Sequence, residues 1–214
     1  LERVQPDGRR RHLTGDDHHR DRVHVRRRDA GNRVGDAGAR SHEAYADFAD
    51  DNCLRLVEKH DNILVLRTLS KSYSLAGIRL GFCIAQEPLI QGMMKVKDSY
   101  NVDRLSIAAV VATLDDQKGM NAHVERIKST RQYLTKSLED MGFFVHPSQT
   151  NFVLARCMKG VSAQKLYLAL KSRKILVRYF NLRRLDDCLR ITIGTKEEID
   201  TLLKNLKELV GNKT

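Results

Sequence analysis

The chain changes character at Glu43, and that break decides how much of it can fold. Residues 1–42 hold 11 Arg and no Lys, 5 of the 8 His, and no Ile, Phe, Tyr, Met or Cys. The runs Arg9-Arg10-Arg11-His12 and Arg26-Arg27-Arg28-Asp29 follow neither the strand nor the helix apolar period. Leu1, Leu13 and four valines are the large apolar side chains of this stretch, too few to offset the entropy of ordering it. From Glu43 onward the composition is ordinary, with 12 Arg, 15 Lys and all the aromatics. The expectation is a basic arm over 1–42 without a core of its own, and a folded body over 43–214. Any helix in the arm, for instance around Asp21 to Asp29, should be solvent-exposed.

A formal charge of +11 invites a nucleic-acid partner. The arm lacks interleaved aromatics and any recognisable binding motif, so no nucleic-acid partner is expected. No apolar run approaches the roughly 18 residues of a membrane span, and the charged opening lacks the apolar stretch of a secretory signal. Cys53, Cys83, Cys157 and Cys188 are far apart with no C-x-x-C spacing, which argues against zinc or redox chemistry. No metal is expected, and reduced thiols suit a cytoplasmic protein.

Beyond the arm, apolar runs alternate with amphipathic stretches, the mark of an α/β fold. Strands are expected at Ile63–Arg67, Leu80–Ala85, Phe143–Val145, Asn151–Ala155, Ile175–Arg178 and Leu189–Ile193. Helices are expected at Asn52–His60, Glu87–Lys97, Leu105–Leu114 (largely buried), Asn121–Met141, Ser162–Lys171 and Lys196–Leu209. Gly142 ends the long helix. Thr195 with Glu198 forms a capping box at the start of the last one.

The stretch that carries chemistry runs from Thr68-Leu69-Ser70-Lys71 to Arg79-Leu80-Gly81. It follows a buried strand, at the end where α/β sheets place ligands. Thr68, Ser70 and Arg79 can together satisfy a phosphate dianion through two hydroxyls and a bidentate guanidinium. Amid such electropositive groups Lys71 is expected to have a depressed pKa, favouring the neutral amine that forms imines.

This S/T-x-S-K and R-x-G pattern resembles fold-type-I pyridoxal-phosphate (PLP) aminotransferases of the aspartate aminotransferase superfamily. The resemblance implies that Lys71 binds PLP as a Schiff base and shuttles the substrate proton. It implies that Thr68, Ser70 and Arg79 bind the PLP phosphate. Glu43-Ala44-Tyr45 matches the family's D-E-A-Y motif, which gives Tyr45 the hydrogen bond to the cofactor's phenolic oxygen. The sequence departs from the family at His42, where an aspartate normally pairs with the pyridine nitrogen. A histidine cannot supply that negative charge.

Toward the C-terminus, Ser148 to Leu154, Lys174 to Phe180 and Leu189 to Thr195 resemble segments of histidinol-phosphate aminotransferases. The resemblance covers residues 43–214, about half of a complete family member. It implies a remnant of the large parallel-sheet, PLP-binding domain over 43–115 and a small α/β domain over 116–214. It further implies transamination of L-histidinol phosphate with 2-oxoglutarate in histidine biosynthesis, by a homodimer. Arg190 would clamp a substrate α-carboxylate, and Arg178 is a candidate for the substrate phosphate. Asn151 reads as structural. Threonine-phosphate decarboxylase or aromatic aminotransferase activity is the alternative within the family. A non-catalytic, frameshifted remnant is the alternative outside it.

The frameshift reading has a basis in the genetic code. Gln5-Pro6-Asp7-Gly8-Arg9 can be written in codons that, read one base on, give Asn-Pro-Thr-Gly. Arg40-Ser41-His42 in the same frame gives Val-Val and then, with one base restored, Asp ahead of Glu43-Ala44-Tyr45. Both are family motifs in family order, so residues 1–42 are expected to be out-of-frame translation, with a genuine disordered extension as the alternative. Half the cofactor pocket would then be missing. The large-domain sheet would keep only the strands Ile63–Arg67 and Leu80–Ala85, with unpaired edges.

Overall fold

The computed structural model describes residues 39–99 and 101–211. The arm reading for residues 1–38, including the helix expected around Asp21, lies outside the described residues. Within them, seven strands and six α-helices follow one another: β1 (Ala39–His42), α1 (Leu54–Lys59), β2 (Ile63–Thr68), β3 (Gly81–Ala85), α2 (Glu87–Val96), α3 (Arg104–Asp115), α4 (Gln117–Asp140), β4 (Phe144–His146), β5 (Phe152–Arg156), α5 (Ala163–Ser172), β6 (Arg178–Tyr179), β7 (Cys188–Thr192) and α6 (Lys196–Gly211).

Two sheets result. The first runs β1-β2-β3, with β1 parallel and β3 antiparallel to β2. The second runs β4-β5-β7-β6 and is antiparallel throughout. The first sheet therefore has three strands where two were expected, because Ala39 to His42, read as the end of the arm, pairs residue for residue with Ile63 to Leu66. Parallel pairing uses main-chain groups alone, so a segment without strand-like periodicity can still complete a ladder beside an apolar neighbour.

The larger core lies between the second sheet and the helices α4, α5 and α6. Leu134 and Leu138 of α4, Leu170 of α5 and Leu206 of α6 are fully buried against Val153 and Leu189 of the sheet. Helix α4 stops in a Schellman turn: Gly142 sits at φ +90°, its N–H donates to the Glu139 carbonyl, and the Phe143 N–H reaches Leu138. The expected capping box of α6 forms in both directions, from the Thr195 N–H to Glu198 and from the Glu198 N–H to the Thr195 hydroxyl. A smaller core of Cys53, Val57, Ile63 and Val65 packs α1 on the first sheet.

Two expectations about burial and extent fail. Helix α3 was expected to be largely buried, yet Leu105 is 82% exposed, and Ile107, Val111 and Leu114 are exposed with it. Met93, Met94 and Val96 of α2 and Phe82 of β3 are exposed as well. Periodicity detects an apolar helix but not whether a neighbour covers it. The strand expected at Ile175–Arg178 is shorter and lies later, at Arg178–Tyr179, after Lys174 at φ 62° turns the chain that leaves α5. No helix among the described residues is long and apolar enough to cross a membrane.

Candidate active site

Strand β2 delivers Thr68 to its C-terminal end, and the chain then folds back to β3 through a tight loop. Leu69, 1% exposed, anchors this loop in the interior. The loop closes on itself through hydrogen bonds from the Leu75 N–H to the Leu69 carbonyl and from the Ser74 N–H to the Lys71 carbonyl. Ser74 and Arg79 both adopt left-handed backbone, at φ 57° and 59°. Such conformations cost free energy and persist only where the surroundings enforce them. Gly81 closes the loop where β3 meets Thr68, and a Cβ there would lie 2.7 Å from the Arg67 carbonyl oxygen. The glycine of the R-x-G pattern is thus demanded by the approach of the two strands.

The Thr68 hydroxyl donates to the Ser70 hydroxyl at 2.9 Å and accepts the Ser70 N–H at 3.2 Å. These two predicted residues are therefore together at the strand end. Arg79 is exposed and its guanidinium donates to the Ala76 carbonyl at 2.9 Å. No contact joins Arg79 to Thr68 or Ser70 among the described residues.

Lys71 is half-buried, and its Nζ stands 5.7 Å from the centre of the Tyr45 ring. Tyr45 meets the Phe152 ring edge-on at 5.5 Å. The Arg190 guanidinium lies over Phe152 at 5.2 Å and over Phe180 at 5.7 Å, and Arg178 lies over Phe180 at 5.3 Å. Lys71, Tyr45, Arg190 and Arg178 thus stand in one row, crossing from the first sheet to the second, with Phe152 and Phe180 as spacers. Sequence reasoning had not assigned either phenylalanine to the site. Their signal was available in part, because Phe152 and Arg190 occupy adjoining strands and face the same way, but only the β5–β7 register brings them together.

Arg178 and Arg190 are direct partners across β6 and β7. Like charges at such a position repel, and the pair is most stable with an anion between or beside the guanidiniums. Arg190 Nε is buried without a hydrogen-bond partner in the described structure. A buried guanidinium N–H lacking an acceptor is costly, and a ligand carboxylate or phosphate would satisfy it.

His42 is exposed at the end of β1. All four cysteines are free. Burial, with help from the neighbouring Asp187, pushes Cys157 up to about 11 and Cys188 up to about 12. Both are held as neutral thiols, which makes them poor nucleophiles. No cluster of metal-ligating side chains occurs among the described residues.

The family model for class I and II aminotransferases matches residues 41–206. Histidinol-phosphate aminotransferase 1 of Nostoc sp. is 46% identical over 171 residues, which are 80% of this chain and 48% of that protein. Among solved structures, the histidinol-phosphate aminotransferase of Sinorhizobium meliloti, in complex with pyridoxal-5'-phosphate, superposes with a TM-score of 0.72 at 29% identity, covering 82% of this chain and 49% of that one. L-threonine-O-3-phosphate decarboxylase of Porphyromonas gingivalis shares the fold, with a TM-score of 0.67 at 22% identity over 80% of this chain and 55% of that one. The chain spans about half the length of the curated relatives it matches.

Proposed function

The chain belongs to the class I and II aminotransferase family, and from that premise we propose that it carries the lysine-bearing part of a PLP enzyme that transaminates L-histidinol phosphate with 2-oxoglutarate. The observation that supports this best is the row from Lys71 through Tyr45 and Phe152 to Arg190, with Arg178 beyond it. It sets a primary amine at one end and two adjoining guanidiniums at the other, the groups needed to hold an aldehyde cofactor and an anionic substrate.

The donor set suits PLP at its aldehyde and phosphate ends. Lys71 would hold the cofactor through its amine and carry the proton removed from the substrate carbon. Thr68 and Ser70, already within hydrogen-bond distance of each other, would turn their hydroxyls to the phosphate, joined by Arg79 once its guanidinium leaves the Ala76 carbonyl. The Tyr45 hydroxyl would hold the phenolic oxygen. Arg190, with its buried Nε in need of an acceptor, would take the carboxylate of the 2-oxo acid, and Arg178 the phosphate of the amino donor. When bound, the cofactor supplies the electron sink for the carbon that loses its proton. His42 suits the pyridine nitrogen poorly, since an imidazole brings no negative charge to balance a protonated ring. We assign residues 43–115 to the cofactor domain and 116–214 to the small domain of a cytoplasmic homodimer.

A second reading, an inactive remnant, is favoured by the exposed apolar side chains of α2 and α3 and by a first sheet of three strands. One experiment addresses both. The 214-residue chain is mixed with PLP, its absorbance spectrum recorded, and the adduct reduced with borohydride and mapped. A pyridoxyl group on Lys71 supports the assignment, and a label concentrated on another lysine refutes it. Labelling at Lys71 without transamination is the outcome expected of this chain alone. Robust turnover would refute the remnant reading.

A further inference from the structure

Four side chains left out of the chemistry above form a polar chain beside the lysine turn. Ser72, the residue after Lys71, is 2% exposed, and its hydroxyl donates to the Asp47 carboxylate. The other Asp47 oxygen lies 4.0 Å from Arg67 Nη1. Arg67 also donates from Nε and Nη2 to Glu43 at 3.3 and 3.0 Å, and the second Glu43 oxygen accepts the Cys53 N–H at 2.5 Å. The Glu43 side chain is 8% exposed and that of Arg67 18%, so solvent screens their pairing weakly.

One carboxylate would neutralise Arg67, yet two converge on it. The second, Asp47, is directed at the turn that bears Lys71. Asp47 belongs to the short 3₁₀ turn Ala46–Phe48, which follows Tyr45 directly and is anchored by the fully buried Phe48. The segment that presents Tyr45 is therefore tied by Asp47 to the segment that presents Lys71. The lysine turn needs such a tie, because it includes the left-handed Ser74.

We propose that Asp47 is a positioning residue for Lys71: by holding the Ser72 hydroxyl it fixes the turn that aims the lysine amine at the Tyr45 ring. This rests on Lys71 being the imine-forming lysine. Arg67, itself held by Glu43, orients the Asp47 carboxylate, and Asp47 touches neither cofactor nor substrate.

The test uses the 214-residue chain with two readouts. Trace acetylation by acetic anhydride across a pH series, read lysine by lysine by peptide mass spectrometry, reports the reactivity of the Lys71 amine without any cofactor. Borohydride trapping of PLP reports its share of the pyridoxyl label. Ser72→Ala and Asp47→Ala should each lower the Lys71 share about tenfold, the scale of one hydrogen bond to a charged group, and shift its acetylation profile while circular dichroism is unchanged. The double variant should fall no further than either single one, since the two groups act as a unit. Asp47→Asn, which keeps an oxygen for Ser72, should recover most of the loss. An unchanged Lys71 profile in both single variants, or losses that multiply in the double one, would overturn the proposal. Should Asp47→Ala fail to fold, Ser72→Ala, which removes one oxygen, decides alone. A wild-type pyridoxyl label on another lysine defeats the enzyme reading, whereas the acetylation series still tests the tie between Asp47 and the lysine turn.

Discussion

Alanine at position 81 and alanine at position 77 should move the stability of this chain in opposite directions. Both glycines lie in the stretch from Lys71 to the start of β3, and neither has positive φ, so the substitutions differ mainly in the space each new methyl meets. At 77 nothing lies within 4 Å of the added carbon, and the change chiefly restricts the unfolded chain. That should stabilise by about 0.4–1 kcal/mol. At 81 the carbon would stand 2.7 Å from the Arg67 carbonyl oxygen, under the 3.0 Å that real contacts respect. β2 and β3 must then part by roughly 0.3 Å or more, the gap between 2.7 and 3.0 Å. The obstacle is backbone, and Arg67 is already held through its side chain by Glu43 and Asp47. Overpacking of this kind costs about 1–3 kcal/mol, of which the lost flexibility of glycine returns about 0.5–1 kcal/mol. A net loss of about 1 kcal/mol should lower the melting temperature by roughly 2–4 °C for a chain of this size. Thermal melts followed by circular dichroism read both variants. Since Thr68 pairs with Gly81, the change at 81 should also lower PLP trapping at Lys71, and the change at 77 should not. Equal shifts of the same sign would refute the steric argument.

The remaining expectations concern the aromatic row, the thiols and the core. A double-mutant cycle in urea between Phe152→Leu and Arg190→Gln should give a coupling of about 0.5–2 kcal/mol for their cation–π contact; additivity within about 0.3 kcal/mol would remove Phe152 from the row. Cys157 and Cys188 have folded pKa values of about 11 and about 12, raised from 9.0. The folded chain thus holds protons that the unfolded chain releases, so their stabilisation is complete below pH 9 and fades as pH rises toward 12. Urea midpoints across that range should fall less steeply in the Cys157→Ser/Cys188→Ser variant. Leu134→Ala, at a fully buried position in α4, should cost about 2–5 kcal/mol by urea denaturation.

Local chemistry explains why the sequence was so informative over residues 43–211. The capping box at Thr195, the glycine stop at Gly142 and the apolar stripe of Val124, Ile127, Leu134 and Leu138 act within one or two helical turns, so their effect can be read without knowing the fold. The cluster around Lys71 is legible for the same reason. Thr68, Ser70 and Lys71 lie within four residues at a strand end, and a short loop leaves their side chains few directions. What a segment does locally says nothing of what will cover it. The apolar pattern of α3 was plain, yet Leu105 lies open, because burial depends on a neighbour that periodicity does not name. The strand Ala39–His42 was missed because its order derives from main-chain bonds to β2 and not from its own side chains.

Only the tertiary structure set Arg178 opposite Arg190 and placed Phe152 between Tyr45 and Arg190, residues separated by 107 and 38 positions from Phe152. The positions of Phe152, Arg178 and Arg190 follow from strand register, and a slip of one residue would turn such a side chain to the other face. The Ser72–Asp47–Arg67–Glu43 chain is of the same kind. Nothing in the sequence pairs these four residues, and they meet, buried or half-buried, only when the segment after β1, the end of β2 and the lysine loop close on one another.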